Sequence, residues 1–143
     1  IDLHSGFGMV DRLWYPYSRT KDDCPHIDTI RKFRTLLDVS MPYHVYKVEP
    51  QAESYVIHGD PWDYLMDLHI DRYYEKERVF IPWTLEMGSW TWLRKNPRQA
   101  LTFSGFFNPV LPHRYNRIMR RHRGILELFH RAVLNHKSWQ KMI

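Results

Sequence analysis

The sequence holds a single cysteine, Cys24, in 143 residues, so no disulfide can close within the chain and packing must hold the fold. That usage is compatible with a reducing compartment. Only Pro25 and His26 follow Cys24, with no nucleophile signature around it, and the thiol reads as inert. Long apolar runs are missing too. Nothing approaches the roughly 18 to 20 residues that a membrane span needs, and no membrane partner is expected. Internal repeats, low-complexity tracts and flexible linkers are absent, which leaves one globular unit with a hydrophobic fraction of 43%, enough for a packed core. No methionine precedes Ile1, as expected of a fragment or a cleavage product, and any signal peptide would lie upstream.

Acidic residues are in deficit, 16 against 21 lysines and arginines, for a formal charge of +5. A basic balance invites a nucleic-acid reading. Much of the excess, however, sits in Arg114, Arg117, Arg120, Arg121, Arg123 and Arg131, interleaved with apolar residues at helical spacing. That pattern is the solvated face of a helix, and nucleic acid is not the expected partner.

Ile1 to Leu3 is β-compatible and ends at His4, followed by Ser5-Gly6-Phe7-Gly8, where glycines permit a close-approaching loop. Ile27, Ile30, Phe33, Leu36 and Leu37 predict a helix over 25–39, with Asp23 available as its cap. Alternation predicts a strand over 43–48, then a loop to Gly59. Asp60-Pro61 marks a helix start, with Trp62, Leu65, Met66 and His69 on the inner side. The run 78–86 is rich in β-formers, its Pro82 suits an edge or bulge, and Glu86 stands at its end. The segment 88–112 reads as a long loop packed by its own aromatics. After Pro112 a helix resumes, its stripe made of Ile118, Met119, His122, Ile125, Leu126, Phe129, Val133 and Leu134. The order strand, helix, strand, helix, strand, loop, helix predicts an α/β layered domain.

Asp2-Leu3-His4-Ser5, with Tyr15-Pro16-Tyr17 about ten residues later, resembles the segment of zinc carboxypeptidases that ends a strand in His-Ser and supplies their third zinc ligand. About eighty residues on, Phe80-Ile81-Pro82-Trp83-Thr84-Leu85-Glu86 is similar to the family's strand that presents the catalytic glutamate. Between them, Tyr55, four positions before Gly59 and ahead of Trp62-Asp63, looks like the mobile tyrosine loop. The resemblance implies an α/β/α sandwich with a mixed β-sheet, of which residues 1–143 hold only the later strands and helices. It also implies one zinc ion held in part by His4, Glu86 as general base, and Tyr55 and the Ser5 backbone carbonyl on the substrate. That substrate is a peptide or peptide-like molecule with a free carboxylate. If Asp60 or Asp63 lay near the specificity pocket, basic side chains would be selected.

The chemistry asks for these residue types in its own right. A neutral imidazole is a good zinc ligand, a catalytic zinc keeps one position open for water, and a nearby carboxylate can take that water's proton and pass it to the leaving amine. Without the resemblance, His4 reads as a hydrogen-bonded loop histidine and Glu86 as a carboxylate paired with arginine.

The sequence departs from the family in three places. Gly6 stands where an aromatic often follows His-Ser, Met87-Gly88-Ser89 replaces a longer polar continuation, and no histidine is followed three places later by glutamate. The His-x-x-Glu ligand pair is therefore expected in a missing amino-terminal portion of the same protein. The chain alone is expected to bind zinc weakly and to hydrolyse nothing. Two alternatives stay open. Asp2-Leu3-His4 and Leu85-Glu86-Met87-Gly88 also occur in amidases of the succinylglutamate desuccinylase and aspartoacylase group. A non-catalytic basic domain meeting nucleic acid or an acidic protein through its last helix is the other.

Overall fold

The computed structural model describes residues 1–73 and 78–141 and is mixed α/β. Strands β1 (Asp2–Ser5), β2 (Arg12–Tyr15), β3 (Lys47–Pro50) and β4 (Thr84–Met87) form one sheet in the order β1-β4-β2-β3. β1 is parallel to β4 and β2 to β3, while β2 and β4 run antiparallel and join the two pairs. Among the described residues five helices accompany the sheet: α1 (Ile27–Ser40), α2 (Pro61–Tyr73), α3 (Trp90–Lys95), α4 (Pro112–Leu134) and α5 (His136–Trp139).

Along each strand the side chains alternate between the two faces of the sheet: Asp2, His4, Arg12, Trp14, Lys47, Glu49, Thr84 and Glu86 share one face, and Leu3, Leu13, Val48 and Leu85 share the other, where Leu3 on the edge strand is half exposed. Successive side chains on a strand point to opposite faces, and the register aligns the pattern across the sheet. His4 pairs with Glu86, Glu86 with Arg12, and Arg12 with Lys47. One face is therefore charged and the other apolar. On the apolar face Leu13 and Leu85 are fully buried, in one cluster with Ile30, Phe33 and Leu37 of α1 and Ile125 of α4. Phe33 stacks on Phe129 at 4.7 Å between ring centroids and lies 5.0 Å from Trp83, tying the two helices to the approach to β4.

α2 begins where Asp60-Pro61 marks it, since Asp60 Oδ1 accepts the Trp62 and Asp63 N–H groups at 2.7 and 3.3 Å. Its inner side differs from the expectation. Met66 and Asp63 are buried, whereas Leu65 is exposed. Asp63 accepts the Ser18 N–H and hydroxyl and the Arg19 N–H, and Asp67 holds the Arg19 guanidinium through both oxygens, at 2.6 and 3.0 Å. These carboxylates clamp α2 to the chain that leaves β2, where the Pro16–Tyr17 peptide bond is cis.

Five other expectations change. β2 replaces what the sequence left unassigned. β3 starts at Lys47, four residues later than the predicted strand, because 42–46 turns back and His44 is fixed by Asp38 at 2.8 Å. α1 begins at Ile27 without a side-chain cap, and Asp23 instead meets Arg31. The segment 88–112 is not a loop packed by aromatics: it contains α3 and a 3₁₀ turn (Pro97–Leu101), and Phe103 is fully exposed. On α4 the buried residues are His122, Ile125 and Ala132, while Val133 and Leu134 face outward.

His122 carries a pH dependence. Its Nδ1 lies 3.0 Å from the Tyr46 hydroxyl, and burial holds the imidazole below its ordinary pKa, with nearby Asp11 opposing the shift and Arg121 adding to it. The unfolded chain therefore binds a proton near pH 6.5 that the folded chain does not, so His122 costs stability as pH falls below that point. In urea unfolding between pH 7.5 and 5.5, His122→Asn is expected to flatten the pH slope by up to about 1.4 kcal/mol per pH unit. An unchanged slope would remove His122 as its source. His26, also held low by burial, contributes in the same direction and remains in the variant.

Candidate active site

The charged face of the sheet gathers the residues singled out from the sequence. Parallel pairing of β1 with β4 sets His4 directly beside Glu86, across a separation of about eighty residues in the chain. Glu86 is 3% exposed, and the Phe7 N–H donates to its Oε1 at 3.0 Å. Burial raises its pKa; the Phe7 hydrogen bond and the positive fields of His4 and Arg12 oppose that shift without cancelling it. A carboxylate so placed is a stronger base than one in water.

His4 is half exposed, and its Nε2 is 2.9 Å from Asp2 Oδ2. The Trp62 indole N–H donates to the same oxygen at 3.0 Å. Burial pushes the Asp2 carboxyl up, but the hydrogen bonds from Trp62 and His4 and the charge of His4 outweigh it, and its pKa is lowered. An ionised Asp2 accepts from Nε2–H, which leaves the Nδ1 lone pair of a neutral His4 free. Carboxylate support of this kind orients histidines that bind metals.

Tyr55 follows the 3₁₀ turn Gln51–Glu53, and its ring meets Phe7 at 5.4 Å and Trp14 edge-on at 5.5 Å. Partial burial and the negative charges of Glu86 and Asp60 raise the phenol pKa, so it stays a hydrogen-bond donor near Glu86. Ser5 pairs with Met87 at the strand end. Alternation turns its side chain to the apolar face and leaves its backbone as the group nearest the site. The structure thus brings His4, Glu86 and Tyr55 together, with Ser5 at the rim.

Several contributors went unread in the sequence. Asp2, two residues before His4 on the same strand, holds its ring. Arg12, between the Phe7 ring at 5.1 Å and Glu49 at 3.2 Å, lends its charge to the floor. Glu49 also takes hydrogen bonds from Lys47, Ser54 and Trp14; burial alone would raise its pKa, but these bonds win and hold it low. The aromatic that the sequence lacks at Gly6 is supplied from elsewhere: a Cβ on Gly6, whose φ is +122°, would meet the Phe107 ring at 3.0 Å. Asp60 and Asp63, the candidates for selecting basic substrates, are occupied in capping and clamping α2.

Among the described residues no three His, Cys, Asp or Glu side chains converge as a metal cluster. The donor set on this chain is one nitrogen, His4 Nδ1, beside the Glu86 carboxylate, which suits part of a zinc site and not the whole. Compared with known proteins, the chain matches no family model, no curated protein and no solved structure.

Proposed function

We propose that residues 1–143 are the later part of a zinc-dependent hydrolase domain that removes carboxy-terminal residues from peptides, built as an α/β/α sandwich of the zinc carboxypeptidase kind. The observation that carries this reading is the β1–β4 register, which sets a carboxylate-supported histidine beside a buried carboxylate. In the proposed site His4 contributes its Nδ1 nitrogen, and the other ligands come from an amino-terminal portion outside these residues. Zinc, when bound, would supply a Lewis acid and an acidified water.

This chain's own residues then divide the work. Asp2, itself held by Trp62, fixes the His4 ring. Glu86 accepts a proton from the attacking water and returns it to the leaving amine, a role that its raised pKa favours. Tyr55 donates a hydrogen bond to the substrate and, with Phe7 and Trp14, screens Glu86 from bulk water. The Ser5 carbonyl lines the substrate groove.

The test uses the longer protein with its zinc, assayed on a peptide with a free carboxyl end, on the same peptide amidated, and on an N-acyl amino acid. Release of the terminal residue from the first alone is the expected result. Cleavage of the N-acyl amino acid alone would replace the proposal with the amidase reading, and zinc-dependent hydrolysis by residues 1–143 in isolation would overturn the claim that the site is shared.

A further inference from the structure

A cavity lined by none of the residues of the candidate active site lies between α3, the first half of α4 and Met9, with a volume of about 490 Å³. Arg94, Lys95, Arg114, Arg117 and Arg121 line it. Arg114, Arg117 and Arg121 recur at three- and four-residue spacing and so share one face of α4, where like charges repel. Only one carboxylate answers these five permanent cations among the described residues. Asp11 meets Arg121 at 2.9 Å and is also engaged by the Gly88 N–H at 2.8 Å. Arg94, Lys95, Arg114 and Arg117 have no ion-pair partner there.

Hydrogen bonding points the same way. The Trp92 indole nitrogen and Arg114 Nη1 are both buried without an acceptor, and Trp92 is 4% exposed in the cavity wall. An unmatched buried donor is costly, and more so on a cation. Trp92, Met9 and Ile118 add apolar surface, which strengthens each charge acting on a bound group.

We propose that this cavity binds a small polyvalent phosphate. Its volume suits a small molecule, and its four guanidiniums suit the paired oxygens of phosphoryl groups. An extended nucleic acid fits less well, because the remaining cations of α4 do not continue the patch: Arg120 and Arg123 line a different cavity, beside Leu3 and Met87. The proposal does not rest on the hydrolase reading.

Pyrophosphate is the probe, titrated calorimetrically into the full chain at fixed ionic strength, with citrate and a duplex oligonucleotide in parallel. One-to-one saturable binding of pyrophosphate is expected. Arg114→Ala and Arg117→Ala should each weaken it at least about tenfold, and Trp92→Phe, which keeps the packing and removes the donor, about threefold. Arg31→Ala removes the same charge from α1, where Arg31 meets Asp28, and should change the affinity less than about twofold. Arg117 is exposed, so its variant remains informative if Arg114→Ala does not fold. An equal loss in Arg31→Ala would mean a diffuse field and overturn the site. So would citrate binding as tightly as pyrophosphate, or an oligonucleotide that pyrophosphate fails to displace.

Discussion

Glu86→Gln is expected to lower kcat/KM of the zinc-loaded longer protein by about 10² to 10⁴-fold, the range a positioned general base supplies, and to leave the fold at least as stable. Glutamine keeps an oxygen for the Phe7 N–H, which donates to Glu86 Oε1 at 3.0 Å, so the loop after β1 has no reason to move. Stability follows from the sign of the shift. Glu86 has a folded pKa above its unfolded value because of burial, so its ionisation opposes folding; that cost is present above the folded pKa and vanishes as pH falls below it. At pH 7 to 8 the neutral amide removes it. The two readouts are kcat/KM on a carboxy-terminal peptide and the urea midpoint. Activity within tenfold of the parent would exclude Glu86 as the base, and loss of activity together with loss of folding would mean that the residue is structural.

Leu85→Ala, one residue earlier, is expected to behave in the opposite way. Leu85 is fully buried at the centre of the apolar face, on the strand flanked by β1 and β2, and deleting its methyl groups should cost about 2 to 5 kcal/mol through lost transfer energy and the cavity left behind. Against a total of about 5 to 15 kcal/mol for an ordinary domain, that fraction is large. Leu85→Met, nearly conserving volume, should cost less than about 1.5 kcal/mol. Urea unfolding of both variants decides it, and a loss below about 1 kcal/mol for the alanine would show that this face is not packed as described.

His4, Glu86 and Tyr55 could be singled out only through the motifs around them, which resemble those of zinc carboxypeptidases, since each residue type alone reads as structural; the structure gathers the three on one face of the sheet. Partnerships were less legible. That Asp2 serves His4, that the Phe7 backbone serves Glu86, and that Phe107 stands beside Gly6 are facts of tertiary placement, without local periodicity to betray them. β2 was missed for another reason. Arg12-Leu13-Trp14-Tyr15 is only four residues long and runs into Pro16, so it offers too little alternation to be recognised singly. The signal was there in comparison, since β1 and β4 repeat the same two-residue rhythm. Helix starts fared unevenly. Asp60-Pro61 is a cap with a mechanism, while α1 opens without one, and Asp23 lay too far outside to serve.

The two-residue rhythm also governs which histories are open to this protein. Exchanging a side chain at position 2, 4, 12 or 86 edits the charged face and leaves the apolar cluster alone. Adding a single residue inside β4, between Thr84 and Leu85, would shift the rest of the strand by one and carry Leu85 to the charged face and Glu86 into the apolar cluster. Descent can therefore revise this surface by replacement, whereas the spacing within its strands is effectively frozen.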